Sequence, residues 1–320
     1  MNRTGIQWPF LPEPLLTVNP FIGCSKASEG CEHCYAEAMA VRIANFGQTA
    51  SEDYQRVITH DDDPSWNGRT VFLPRVLAQV RKRRKPATVF WCSMSDMFHE
   101  SNAPANIEEV WYCISQTPHL THVVLTKRPA RMAEFFTRWS PGYAAHLQPN
   151  LWLGVTAENQ QRANERIPIL LDIRGEHKTF VSVEPMLGPV DLADYISLNR
   201  KALHGGGYTD ALDCVVCGGE SGPNARPMHP GWVRSLRDQC AAAGTAFWFK
   251  QWGEYIPQEQ PSAIPLLTAK AASEALYVDR DGNTAPARIG ARSDRVTVQR
   301  LGTRSTGHLL DGVEHRESVR

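Results

Sequence analysis

Val89-Phe90-Trp91-Cys92-Ser93-Met94-Ser95-Asp96 sets the reading of the chain: a short apolar run, long enough for a buried strand and too short for a helix, passes straight into a polar tip. The arrangement recurs. His122-Val123-Val124-Leu125 leads into Thr126-Lys127-Arg128, Leu151-Trp152-Leu153-Gly154-Val155 into Thr156-Ala157-Glu158-Asn159, and Phe180-Val181-Ser182-Val183 into Glu184-Pro185. Leu212-Asp213-Cys214-Val215-Val216-Cys217 leads into Gly218-Gly219-Glu220-Ser221, and Ala246-Phe247-Trp248-Phe249 into Lys250-Gln251-Trp252. Upstream, Leu15-Leu16-Thr17-Val18 reads as one more strand.

Helical spacing fills most of the intervals: Ile107/Val110/Trp111/Ile114, Met132/Phe135/Phe136/Trp139, Ala163/Ile167/Leu170/Leu171 and Trp232/Leu236/Cys240/Ala243. A further helix is expected over Pro74 to Arg84, ended by the basic run Arg81-Lys82-Arg83-Arg84-Lys85, which reads as a solvated helix end. Continuously apolar strands alternating with amphipathic helices predict an α/β fold with a parallel sheet covered by helices. Six or seven such units predict a βα barrel, full or partial, of the TIM type. No G-x-G-x-x-G follows the first strand, which argues against a dinucleotide fold. The expected organisation is a barrel domain over 1–254 and a small, partly irregular C-terminal appendage over 255–320, with a hairpin around Asp281-Gly282-Asn283.

The chemistry is concentrated in Cys24-Ser25-Lys26-Ala27-Ser28-Glu29-Gly30-Cys31-Glu32-His33-Cys34-Tyr35. Three thiolates from one loop repel each other unless a cation or cluster neutralises them. Zinc asks for four protein ligands, and His33, adjoining Cys34, is a poor fourth. Three cysteines alone suit a [4Fe–4S] cluster with one iron open to a small molecule. Buried, unliganded thiols are the plainer alternative. After the loop, Tyr35, Ala38, Met39, Ile43 and Phe46 predict a helix burying that face, with Gly47 as its stop.

Lysine plus arginine and aspartate plus glutamate balance at 34 each, so no global field recruits nucleic acid or an anionic membrane. No signal peptide and no membrane-length apolar run is readable, and eight cysteines without export signals point to a reducing compartment, the cytoplasm. Asp61-Asp62-Asp63 reads as a solvated loop. Cys214 and Cys217 point to opposite faces of a strand and read as packing; Cys92, Cys113 and Cys240 read as buried.

In a βα barrel the C-terminal strand ends form the active face. Those ends are the polar tips, and the cysteine loop follows the first strand on the same face. Glu184 and Glu220 suit the ammonium of an amino-acid-like cofactor, with Gly218 and Gly219 allowing close approach. Lys127 and Lys250 would attract a carboxylate or phosphate, or else pair with these glutamates.

With these features the chain resembles the radical S-adenosylmethionine enzymes. More narrowly, it looks like a family of phage and prophage proteins carrying a three-cysteine motif. The matching stretches are Asn19-Pro20 through Cys34-Tyr35, Ser93 through His99, Leu125 through Pro129, Leu153-Gly154-Val155, Ser182 through Pro185, Gly218 through Gly222 and Leu309 through Gly312. The resemblance implies Cys24, Cys31 and Cys34 as ligands of a [4Fe–4S] cluster, with S-adenosylmethionine on the open iron and His33 packed near its adenine. Ser95, Asp96, Glu158, Gly218, Gly219 and Glu220 are then expected to bind cofactor, and Lys127, Glu184 and Lys250 to act on substrate. An electron donor and a nucleotide, nucleic-acid or peptide substrate would be the partners. Two departures stand out. The first cysteine gap is longer than that superfamily's usual one, and Ser93-Met94-Ser95-Asp96 replaces the Gly-Gly-Glu expected after the second strand. The competing expectations are a non-catalytic barrel, stabilised by zinc or a cluster, that binds nucleic acid or a protein, and a hydrolase using Glu184 and Glu220.

Overall fold

The computed structural model describes residues 2–3, 11, 14–46, 51–142, 149–196, 211–260, 275–287, 295–317 and 319. The helix stop expected at Gly47 and the stretch 261–274 of the expected appendage lie outside the described residues.

In chain order the first strands are β1 (Asn2–Arg3), β2 (Leu15–Val18), β3 (Phe21–Ile22), β4 (Val71–Phe72), β5 (Thr88–Trp91) and β6 (Thr121–Thr126). Next come β7 (Leu151–Thr156), β8 (Lys178–Val183), β9 (Cys214–Gly218) and β10 (Ala246–Gln251). The main sheet is ordered β1-β2-β5-β6-β7-β8-β9-β10, and its seven strands from β2 on run parallel. Every expected strand is present in the expected order. Sequential parallel strands with helices between them are consistent with the partial form of the expected βα barrel. The edge of β2 is covered by antiparallel β1. The edge of β10 is covered by the chain end, where Phe249 N–H donates to His315 O and Glu317 N–H to Phe247 O. Covering an edge satisfies its peptide groups as closure would.

Two compact units divide the chain, one drawing on Met1–Val155 and Pro168–Phe180, the other on Thr156–Ile167, Val181–Ala202 and Ala211–Arg320. In the first, β2, β5, β6 and β7 pair in register, Leu15 opposite Thr88, Thr88 opposite Thr121 and His122 opposite Leu151. All four residues of β5 and all six of β7 are buried, which is why these strands read as unbroken apolar runs. The helix Pro104–Ser115 buries the four residues its spacing predicted. Trp111 stacks edge-on against Phe135 and Phe136, which sit in a π-helical turn, Phe135–Trp139, that continues the helix Pro129–Glu134.

Two expectations are corrected here. The helix over Pro74 to Arg84 is a 3-10 turn, Pro74–Val76, followed by a short α-helix, Leu77–Arg81. The like charges from Arg81 to Lys85 repel at helical spacing, and the residue before Pro86 disfavours helix. The helix after the cysteine loop, Tyr35–Ala44, fully buries only Ala36, Ala40 and Ala44; of the expected large residues only Ile43 packs, half-buried, against the core. Tyr35, Met39 and Phe46 are 57%, 41% and 59% exposed. The small face wins because it lets the helix backbone approach a core of Ile22, Tyr54, Val57, Ile58, Leu73 and Met94.

In the second unit β9 and β10 are parallel. Beyond them lie β11 (Tyr255–Pro257), β12 (Leu276–Asp279), β13 (Thr284–Pro286) and β14 (Arg295–Arg300), an antiparallel sheet in the order β11-β14-β12-β13, then the pair β15 (Leu309–Leu310) and β16 (Val313–Glu314). The hairpin expected at Asp281-Gly282-Asn283 joins β12 to β13.

Candidate functional site

In the first unit the loop after β3 meets the tips of β5 and β6, and one side chain ties them. The Nε of Arg128 donates to both carboxylate oxygens of Glu100 at 3.0 and 2.9 Å. Its Nη1 donates to Asp96 at 3.3 Å and stands 3.9 Å from the sulfur of Cys24. Its Nη2 donates to the carbonyl and hydroxyl oxygens of Ser25 at 3.1 and 3.0 Å. Burial works against this charge, yet Asp96, Cys24 and Glu100 together outweigh it and hold the guanidinium protonated.

Asp96 is saturated. One oxygen accepts from Phe98 N–H and the Thr126 hydroxyl at 3.0 and 2.7 Å, the other from Lys127 N–H at 3.0 Å and from Arg128. It therefore clamps the β5 tip to the β6 tip. His99, also buried, accepts from Ser101 N–H at Nδ1, which leaves the proton of the neutral ring on Nε2, 2.8 Å from Ser25 Oγ. Burial and then Arg128 lower its pKa, favouring that neutral form. Ser95 donates its hydroxyl to Phe21 O at 2.8 Å.

Two cysteines of the loop have a donor of their own, and the third stands at the start of a helix. Cys24 faces Arg128, Cys31 accepts from Ala27 N–H at 3.5 Å, and Cys34 occupies the N-cap position of the helix Tyr35–Ala44 without a side-chain cap hydrogen bond, the amides of Ala36 and Glu37 lying near its sulfur. Burial, then Asp96, pushes the Cys24 thiol up to about 12 against the pull of Arg128. Burial likewise raises Cys34, against those two amides. Cys31 lies within electrostatic range of both other sulfurs. Among the described residues, no three histidine, cysteine, aspartate or glutamate side chains stand close enough together to hold one metal ion. At Cys24 and Cys34 burial outweighs the neighbouring donors, so both sulfurs are protonated thiols in the absence of a metal.

In the second unit the glutamates at strand tips face cations of the same chain. Glu184 meets Lys250 Nζ at 2.8 Å and accepts from Ser182 at 3.1 Å. Glu220 takes Arg226 in a fork, Nη2 to one oxygen at 2.7 Å and Nε to the other at 2.8 Å. Glu158, fully buried, meets Arg166 at 3.0 Å. A Cβ on Gly218 would stand 2.9 Å from the Glu184 carboxylate, and one on Gly219 would collide with the carbonyl of Trp252, so both glycines are set by close approach.

A family described as "protein of unknown function (DUF5131)" matches residues 3–318. The chain belongs to that family. No curated protein and no solved structure matches it. In this DUF5131 member Cys24, Ser95 and Asp96, with the Lys127 backbone, gather in the first unit as one polar cluster, and Cys31, Cys34 and the half-buried His33 belong to the same loop. Glu184, Lys250 and Gly218 gather in the second unit; Glu158 and Glu220 each sit in a separate ion pair there. Arg128, Glu100, His99 and Ser25 are the residues of the DUF5131 cluster that sequence reasoning passed over. The signal was the alternation of an acidic tip, Asp96 to Glu100, with a basic one, Lys127-Arg128, on neighbouring strands.

Proposed function

We propose that this DUF5131 protein is an iron–sulfur enzyme of the radical S-adenosylmethionine type, with Cys24, Cys31 and Cys34 holding a [4Fe–4S] cluster. The observation that carries the proposal is the separate positive setting of each sulfur: a guanidinium at Cys24, a loop amide at Cys31 and a helix N-terminus at Cys34. Such partners offset part of the burial that keeps Cys24 and Cys34 protonated in the absence of a metal, and would tune a metal bound there. A cluster that takes one thiolate per iron accepts wider ligand spacing than a single ion does. When bound, the cluster and S-adenosylmethionine would supply one-electron chemistry ending in hydrogen abstraction from a nucleotide, nucleic-acid or peptide substrate, driven by an external electron donor.

The chain's own residues prepare that site. Arg128 anchors Ser25 and so fixes the start of the cysteine loop, while Asp96 and Glu100 fix Arg128. Lys127 lies within electrostatic range of Cys34 and supplies positive charge for a carboxylate of cofactor or substrate. The deciding experiment is anaerobic purification and reconstitution with iron and sulfide analysis, electron-spin spectroscopy, and an S-adenosylmethionine cleavage assay under a strong reductant. A brown protein with four irons that cleaves the cofactor is expected. A colourless protein holding stoichiometric zinc, or turnover unchanged in Cys31→Ala, would defeat the proposal.

A second reading has one observation in its favour. Glu158, Glu184 and Glu220 each face a cation of this chain, so those carboxylates are engaged in holding strand ends. That suits a non-catalytic, metal-stabilised barrel that binds a nucleic acid or a protein. The zinc outcome of the same experiment would select it.

A further inference from the structure

A cavity of about 540 Å³ in the second unit lies against the start of the helix Pro230–Ala243 and the turn between β12 and β13. Its walls include Trp232 and Val296, with His229, Arg280 and Asp281 as the polar groups of interest. The volume is within the range of small-molecule sites.

His229 is only 6% exposed and caps the helix, its Nδ1 accepting Gly231 N–H at 3.0 Å. The proton of the neutral imidazole is thereby placed on Nε2. Nε2 has no protein partner among the described residues. A directional donor is left on a ring that lines the cavity at a helix N-terminus, where an anionic oxygen is favoured.

Arg280 and Asp281 sit side by side on the turn, which is pinned to the wall by the Trp232 indole N–H donating to Arg280 O at 2.7 Å. Both side chains are exposed and neither has an ion-pair partner among the described residues. Arg234, by contrast, is spent on Glu259 at 2.8 Å and Asp311 at 2.6 Å. What remains unspent is one N–H donor, one cation and one anion, around the apolar surface of Trp232 and Val296.

We propose that this cavity binds a small zwitterion of the amino-acid class. Its carboxylate is taken by His229 Nε2–H and the Arg280 guanidinium, its ammonium by the Asp281 carboxylate, and its side chain lies against Trp232 and Val296. A plain carboxylate or a phosphate would leave Asp281 opposed to the ligand's charge; a zwitterion uses all three groups. This site is separate from the cysteine loop and stands whether or not that loop holds a cluster.

The test is calorimetric titration of the full-length protein with the proteinogenic L-amino acids one at a time, alongside succinate and inorganic phosphate. At least one amino acid is expected to bind saturably at one per chain, and better than either control. Arg280→Ala and Asp281→Asn, both at exposed positions, are each expected to weaken binding about tenfold or more, as is His229→Asn, which keeps an oxygen for the helix cap. Circular dichroism confirms that the variants stay folded. No amino-acid binding, binding that neither turn substitution weakens, or preferential binding of succinate or phosphate that is indifferent to Asp281→Asn would each overturn the assignment.

Discussion

The guanidinium of Arg128 reaches the sulfur of Cys24 across 104 positions of sequence, with Nη1 and Sγ 3.9 Å apart. Because the same side chain also binds Asp96, Glu100 and Ser25, its loss would strand a buried carboxylate as well as loosen the loop. Arg128→Ala is therefore expected to cost about 3 kcal/mol of stability in urea unfolding, and Arg128→Lys less, since a lysine keeps the charge but not the fork. With the arginine gone, the Cys24 thiol should rise further and react more slowly with iodoacetamide at fixed pH. Unchanged alkylation of Cys24 in Arg128→Ala would mean the guanidinium does not govern that sulfur.

Acid sensitivity should come from two buried imidazoles. His122 accepts from the Trp91 indole N–H at Nδ1 and turns Nε2 toward Thr117 O, and burial lowers its pKa to about 4. His177 is buried too, with no hydrogen-bond partner at either ring nitrogen among the described residues, and burial alone lowers it to about 4. Both are neutral when folded and protonate more readily when unfolded. The stability they contribute is complete above the unfolded pKa of about 6.5 and is lost as pH falls toward the folded value, by at most about 3 kcal/mol each. Urea midpoints between pH 7 and 4.5 should fall in that window, and His177→Leu should make the fall shallower. A midpoint flat across the window would contradict the assignment.

The helix after the cysteines offers a sharp contrast between neighbours. Ala40 is wholly buried while Met39 is 41% exposed. Ala40→Leu should destabilise by about 1–3 kcal/mol through overpacking, and Met39→Ala should stay within about 0.5 kcal/mol. Thermal melts of the two variants decide it; the reverse ranking would mean that the large face is the buried one.

The two glycines at the end of β9, Gly218 and Gly219, should behave differently. Gly219→Ala meets the Trp252 backbone, which cannot step aside, whereas Gly218→Ala meets only the end of the Glu184 side chain. The first should lower the melting temperature clearly. The second should lower it less, and shift Glu184 away from Lys250, so that Lys250→Met adds less in the Gly218→Ala background than alone. Equal losses for the two glycines would show that the Glu184 side chain is held as rigidly as backbone.

Asp311 joins Arg234, Arg237 and Gln260, and the hydrogen bonds from Arg234 hold its carboxyl well below the usual range. Its φ of 53° lies in the left-handed region, which asparagine tolerates. Asp311→Asn should thus keep the backbone and lose the charge pairing, lowering stability by roughly 1 kcal/mol at pH 7, since the group is partly exposed and screened. A depressed carboxylate contributes above its unfolded pKa and loses that contribution as pH falls toward the folded value, so wild type and variant should converge in strong acid. A gap that persists there would point to a steric cause.

The strands were legible because a buried parallel strand is a local pattern. Val89 to Trp91 and Leu151 to Val155 are apolar on both faces and stop where the sheet stops. The cysteine loop stood out because three thiols fall within eleven residues, but nothing in that local pattern shows that Arg128 lies against Cys24. The facing of the helix Tyr35–Ala44 was not legible, since its apolar spacing could bury either the large or the small stripe, and the choice depended on how near Ile22 and Val57 would let its backbone come.

What the sequence determined by itself is the alternation of strands and helices, the apolar runs that mark strands of a parallel sheet and the polar tips that end them, since each is written in a pattern of residues a few positions apart. Only the tertiary structure decided that Asp96 would clamp two tips, that Arg128 would serve the cysteine loop, and that Glu184 and Glu220 would face Lys250 and Arg226. A charge left unpaired in a buried setting is strongly penalised, so its partner is set by which segments meet there, and those segments come from far apart in the chain.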